Sequence, residues 1–217
     1  MSAESGLKTF RDSGGLWENY NVYEVATPEA WNANYKMVLK FYNERRKQIL
    51  ETKPNKAHYS CVELEEKYQV NIITQNIDDL HERAGSKNVL HLHGEIIKSQ
   101  SSIDSSLVYP IKGWELKEGD LCEKGCQLRP HVVWFGEPVP KMDDAILLMV
   151  RADILIIVGT SLQVYPAAGL INYAKPNAKL YFVDPNDLDL SIEKDITQIK
   201  EKAGDGLPRL SKMLLSK

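Results

Sequence analysis

Two histidines stand two residues apart in Val89-Leu90-His91-Leu92-His93-Gly94-Glu95. The segment alternates as a strand does and stops at a glycine, so both imidazoles face the same side. A histidine there can act as a general base, because its ordinary pKa lies near neutrality and a glycine lets a ligand approach the backbone. A structural, fully hydrogen-bonded histidine is the commoner occupant of such a position, and spacing alone leaves both readings open. Three other stretches gather amides, hydroxyls and carboxylates: Thr74-Gln75-Asn76-Ile77-Asp78-Asp79, Gly159-Thr160-Ser161 and Asp184-Pro185-Asn186. These groups suit a ligand that carries ribose and phosphate. They also cap helices, but three such clusters in equivalent places favour a dinucleotide site.

Each cluster follows a short apolar run: Val70–Thr74, Ile154–Val158 and Leu180–Val183. Such runs predict buried parallel strands, and ligands bind outside the carboxyl ends of parallel strands. Helical spacing appears at Trp31, Tyr35, Val38, Leu39 and Tyr42, with Thr27 as cap and Pro28 in the first turn. A second helix is expected from Ala57 to Tyr68, after Pro54-Asn55, and another near Pro166. Strands alternating with helices predict an α/β fold with a Rossmann-like, doubly wound parallel sheet. Residues 95–130, rich in Ser, Lys, Glu and Gly, break the pattern and predict a small inserted module. Segments 1–94 and 131–217 then form the main domain, with residues 28–56 lying partly in helices of the small one. Residues 1–27 predict ordered loop rather than a periodic element.

The chain has 217 residues and a net charge of −3, with acids and bases interspersed. That length can bury a core without staples, and the charge argues against broad nucleic-acid binding. Three cysteines, Cys61, Cys122 and Cys126, are too few and odd in number for a disulfide framework. No run approaches a membrane span, and the first residues lack the features of a signal peptide. A cytoplasmic protein without a membrane or nucleic-acid partner is the expectation.

Five motifs in order carry a resemblance to the sirtuin family over nearly the whole chain. They are Ser5-Gly6-Leu7-Lys8-Thr9-Phe10-Arg11, Thr74-Gln75-Asn76-Ile77-Asp78, His91-Leu92-His93-Gly94, Trp134-Phe135-Gly136-Glu137, and Gly159-Thr160-Ser161-Leu162-Gln163-Val164-Tyr165-Pro166. The resemblance implies an NAD-consuming protein-lysine deacylase whose products are lysine, nicotinamide and O-acyl-ADP-ribose. It implies His93 as the base and an acylated-lysine peptide as partner, clamped as an added strand by Phe135, Gly136, Glu137 and Val164. Phe10 and Arg11 would close over the cofactor, and Gln75, Asn76, Ile77 and Asp78 would hold its ribose and nicotinamide. Gly159, Thr160, Ser161, Asp184, Pro185, Asn186 and Ala203 complete the implied NAD site. Tyr42 and Arg45, three apart on one helix face, match the Tyr-x-x-Arg pair of class III sirtuins. That pair would grip the distal carboxylate of a succinyl or malonyl group. Without the resemblance, Arg45-Arg46-Lys47 would be taken for a solvated basic stretch.

Two departures qualify these expectations. Sirtuins commonly hold a structural zinc between two cysteine pairs, but here only Cys122 and Cys126 are in place, and Ile96–Ser102 offers no further ligand. Four thiolates suit a closed site, so the expectation is no metal. Sirtuins also begin their core with a strand and a Gly-Ala-Gly turn ahead of the segment that starts here at Met1. Without them two strand edges should be exposed and NAD binding weakened. The expectation is a monomer. The alternatives are a mainly deacetylating sirtuin, or a catalytically impaired NAD- or peptide-binding remnant.

Overall fold

A computed structural model of the chain describes residues 1–8, 16–17, 20–160, 164–187 and 195–216. Met1 is followed by a 3-10 turn over Ser2–Ser5. Strands β1 (Leu16–Trp17) and β2 (Tyr20–Asn21) pair antiparallel, and the short helix α1 (Val22–Val25) is capped by the Asn21 side chain. Residues 1–27 thus carry more regular structure than their composition predicts, all of it in pieces too short to show a period.

Helix α2 (Pro28–Glu51) begins as its sequence demands. The Thr27 hydroxyl accepts from the Ala30 amide at 3.0 Å, and Pro28 sits where a missing N–H costs nothing. Its buried face includes Val38, Phe41, Tyr42, Arg45, Arg46 and Ile49. Helix α3 (Lys56–Leu64) is closed by a reciprocal cap between Asn55 and His58 and ends four residues before the expected Tyr68.

Strand β3 (Ile72–Thr74), helix α4 (Leu80–Ala84) and strand β4 (Val89–His91) follow, with β3 and β4 parallel. The insert is a three-stranded antiparallel sheet, β5 (Gly94–Ser101), β6 (Val108–Pro110) and β7 (Leu128–Val132), with β5 central. Arg46 fixes it to α2. Its guanidinium is fully buried and donates to the carbonyls of Ile96 at 2.6 Å and Trp114 at 2.8 Å. Burial lowers its pKa to about 10, so it is still charged at neutral pH. Asn43 exchanges two hydrogen bonds with the Leu116 backbone beside it. The solvated reading therefore fails for Arg45 and Arg46; among the three, only Lys47 is exposed.

Helix α5 (Met142–Met149) leads to β8 (Ile154–Val158), a 3-10 helix over Ala167–Tyr173, β9 (Lys179–Val183), β10 (Ile196–Ile199) and α6 (Ala203–Leu215). Strands β8, β9 and β10 are parallel, in the order β10-β9-β8. β10 escapes a search for apolar runs because its two isoleucines, Ile196 and Ile199, are split by Thr197 and Gln198 and pack on opposite faces of the sheet. Leu207, Leu210 and Ala57 cover one face of this sheet at Tyr181 and Val183. Ala168 and Ile171 cover the other at Leu180 and Phe182. Helices on both faces are the doubly wound arrangement.

The parallel strands form two sheets rather than one. β3 and β8 face each other without pairing among the described residues. A cavity of about 1840 Å³ runs between them, walled by Ile72 and Ile73 on one side and Leu155 and Ile156 on the other.

Candidate functional site

The cavity opens at the carboxyl ends of β3, β4, β8 and β9, and the clusters singled out in the sequence converge there. Gln75, Asn76, Ile77 and Asp78 follow β3. Gly159 and Thr160 follow β8, and Asp184, Pro185 and Asn186 follow β9. Ala203, the first residue of α6, reaches the same cavity. Phe10, Arg11 and Ser161 lie outside the described residues.

Local geometry fixes each group. The Thr74 hydroxyl accepts from the Asn76 amide at 3.0 Å, turning the chain at the strand end. The Asn76 side chain donates to the Ser2 hydroxyl at 2.7 Å. Asp78 is buried and accepts from the Leu80 amide at 3.2 Å. Burial raises its carboxyl pKa, against the hydrogen bonds from Ser2 and Leu80. Asp184 closes its own turn, accepting from the Asn186 backbone at 2.9 Å and side chain at 3.0 Å. Glu4 caps α6 from across the rim, accepting from the amides of Ala203 at 2.8 Å and Gly204 at 2.9 Å. Asn55 holds this first turn as well, donating to the Met1 carbonyl and the Ser5 hydroxyl. Residues 1–5 thus brace the β3 loop to α6, a role their composition does not announce.

His93 lies between β4 and β5 with its Nδ1 3.1 Å from the Gln75 carbonyl oxygen. A carbonyl only accepts, so Nδ1 carries the proton and Nε2 keeps its lone pair. Burial lowers the pKa of His93, offset in part by that carbonyl. The imidazole is therefore neutral at pH 7, with its basic nitrogen available. Gly94, at φ 79, is obligatory: a Cβ there would lie 2.2 Å from the His131 carbonyl oxygen. His91 lies with Nδ1 3.1 Å from the Asn76 carbonyl and Nε2 2.7 Å from Glu82.

Tyr42 and Arg45 also border the cavity. The Tyr42 phenol is fully buried and accepts from the Trp134 indole at 3.1 Å. Burial raises its pKa, so it stays protonated. Arg45 is buried and donates to the Lys8 carbonyl at 2.5 Å. Phe135 and Gly136 follow β7, with Phe135 exposed. The Phe135 amide is not free to clamp a peptide, since it donates to the Ala26 carbonyl at 3.0 Å. The Glu137 carboxylate is likewise engaged, 2.8 Å from Arg129 and accepting from the Trp134 amide at 2.8 Å. Arg129 in turn stacks on Trp134 at 3.8 Å. These two residues shape the wall rather than offer free polar groups. Val164 sits on the cavity just before the 3-10 helix over Ala167–Tyr173.

Cys122 and Cys126 flank a tight hairpin in the insert. The Cys122 amide donates to the Cys126 carbonyl at 2.8 Å, and Gly125 takes the left-handed position at φ 73. The Cys122 thiol faces the Ser101 hydroxyl at 3.2 Å. Among the described residues, neither cysteine belongs to a cluster of three His, Cys, Asp or Glu side chains close enough to share an ion. A pair of thiols beside a serine does not fit a closed tetrahedral zinc site.

Comparison with known proteins now decides the family. The model of the Sir2 family matches residues 1–166. The chain belongs to the Sir2, or sirtuin, family. It is similar to an NAD-dependent protein deacylase of Helicobacter pylori (strain ATCC 700392 / 26695), 52% identical over 98% of this chain and 94% of that protein. A protein of the same description from Bacteroides thetaiotaomicron is 48% identical over 99% and 94%. Among solved structures, a Sir2 homologue in complex with NAD superposes with a TM-score of 0.89 at 37% identity, over 99% of this chain and 86% of that one. A Sir2–p53 peptide–NAD+ complex gives 0.80 at 31% identity, over 100% and 90%. Among the described residues no helix is long and apolar enough to cross a membrane.

Proposed function

We propose that this sirtuin is an NAD-dependent protein-lysine deacylase that favours acidic acyl groups such as succinyl and malonyl. The observation that carries the deacylase reading is His93, a neutral imidazole with its Nδ1 committed to Gln75 at the mouth of a cavity ringed by ribose-compatible groups. Bound NAD would supply an electrophilic anomeric carbon, nicotinamide as leaving group and ribose hydroxyls as nucleophiles. Gln75, Thr160, Asp184 and Asn186 would hold its hydroxyls, and Asn76, Ile77 and Asp78 its nicotinamide end. Gly159, Pro185 and Ala203 offer backbone or apolar surface to the rest. Phe10, Arg11 and Ser161 belong to the same reading by resemblance. His93 Nε2 takes the proton from a ribose hydroxyl, while the walls position the reactants so that no protein nucleophile is needed.

The acyl-lysine enters between Phe135, Gly136, Glu137 and Val164, with its acyl end toward Tyr42 and Arg45. The phenol and guanidinium there are donors in a buried setting, where a carboxylate is the partner of greatest value. No step runs through zinc, and the chain acts in the cytoplasm as a monomer, without nucleic acid or membrane.

Nicotinamide release from NAD with succinyl- and acetyl-lysine peptides tests this reading. Wild-type protein is expected to turn over both and to favour the succinyl peptide. His93→Ala is expected to abolish release without changing the melting temperature by more than a few degrees. Turnover near wild type in His93→Ala would refute the base, and an acetyl preference would refute the acyl assignment.

A further inference from the structure

We infer that Glu82 and His91 are positioning residues for the reaction, clamping the Gln75–Asn76 peptide from behind so that it can orient His93 and present its own side chains to the cofactor. The inference rests on the deacylase reading and deepens it.

The geometry is a pair of parallel tethers. His93 Nδ1 reaches the Gln75 carbonyl and His91 Nδ1 reaches the next carbonyl, that of Asn76, each at 3.1 Å. The peptide that carries the Gln75 and Asn76 side chains is thus held by two imidazoles. Any shift of this peptide moves the base and the ribose-binding amides together. His93 has no other hydrogen-bond partner on its ring among the described residues, whereas His91 is anchored at its far nitrogen by Glu82 at 2.7 Å. Glu82 sits on α4, so the tether runs from a helix, through His91, to the loop after β3.

The protonation of His91 follows from its partners. A carbonyl and an ionised carboxylate both only accept, so both ring nitrogens must carry protons for both links to stand. His91 is therefore an imidazolium, while His93 stays neutral. Its surroundings agree. Burial of the side chain, 8% exposed, opposes the charge, but the hydrogen bond and charge of Glu82, then Asn76 and Glu95, outweigh it and raise the pKa. The other titratable groups that face His91 are Asp78 on the loop, His81 on α4 and His131 on β7. Glu95 is itself paired with Lys98 at 2.7 Å.

When His91 loses a proton, one tether must fail. Either a ring lone pair faces the Asn76 carbonyl, or it faces the Glu82 carboxylate. A glutamine at position 82 removes the conflict. Its amide can turn a donor toward neutral Nε2 while Nδ1–H still holds Asn76, so both links survive in either charge state.

The experiment compares wild-type protein and Glu82→Gln by nicotinamide release from NAD and a succinyl-lysine peptide, from pH 6 to 9.5. Wild-type kcat/KM is expected to fall on the order of three- to tenfold on the alkaline side as His91 loses its proton. Glu82→Gln is expected to lose less than twofold over the same range. A purely structural Glu82 would lower activity at every pH and leave the shape unchanged. A flat wild-type profile, or an alkaline fall of equal size and position in Glu82→Gln, overturns the inference. Absence of nicotinamide release by wild-type protein at any pH removes the deacylase reading beneath it. Glu82 is an exposed residue on a short helix, and a melt of each protein at pH 7.5 confirms that both are folded.

Discussion

Replacing Arg45 by methionine tests the acyl pocket most directly, because methionine fills similar space and deletes only the charge and donors. In the structure Arg45 is 6% exposed and its guanidinium donates to the Lys8 carbonyl at 2.5 Å. A succinyl carboxylate that takes its place exchanges a charge–neutral hydrogen bond for a charge–charge one. Hydrogen bonds to charged groups contribute about 1.5–3 kcal/mol, and each ~1.4 kcal/mol is about tenfold in affinity. The full contact is therefore worth roughly ten- to a hundredfold. The lower end is expected here, since the Lys8 bond is given up on binding. Arg45→Met should thus lower kcat/KM for a succinyl peptide by about tenfold or more. The acetyl peptide, which offers no carboxylate, should lose less than about threefold from the freed Lys8 carbonyl. The assay is nicotinamide release on matched peptides that differ only in the acyl group. Equal losses on both peptides would mean that Arg45 serves only to hold the Lys8 segment.

Two further outcomes concern stability and metal. His58 and His81 meet edge to face with ring centroids 4.9 Å apart, and burial above all lowers their pKa values to about 3 and about 4, against the charge of Glu82 at His81. Between those values and the unfolded pKa of ~6.5 only the unfolded chain binds these protons. Stability therefore falls with pH, by roughly 2 kcal/mol per histidine at pH 5. The drop in unfolding free energy from pH 7.5 to 5 should shrink by about half of that combined contribution in His81→Leu, and an unchanged drop by denaturant titration contradicts the buried-neutral assignment. Elemental analysis of protein purified without added metal should give well under one zinc per chain, since Cys122 has Ser101 for a neighbour; one tightly held zinc would show that the insert finds ligands outside that hairpin.

What could be read in the sequence, and what could not, divides along a physical line. Strand ends were legible because a parallel strand covered on both faces reads as a continuous apolar run, and Ile154–Val158 is such a run with the bounds the structure gives it. The start of α2 was legible because Thr27 and Pro28 act locally, within one turn. The polar groups proposed to face the cofactor were legible because they stand at those ends, and the structure gathers the described ones at a single cavity mouth. What stayed hidden depends on partners distant in sequence. Nothing near Arg46 announces that it will be buried against carbonyls fifty and sixty-eight residues away. Glu137 resembles a substrate contact until Arg129 is seen to occupy it, and Glu4 is one more surface acid until α6 arrives, 199 residues on, to be capped by it. The histidine pair shows both sides of this line at once. Alternation reads as one strand through His93, but β4 ends at His91 and His93 stands in the turn before β5, and only the carbonyls of Gln75 and Asn76 and the carboxylate of Glu82 separate their roles. The proposed neutral base and the proposed charged tether, two residues apart, differ by their acceptors and not by their sequence context.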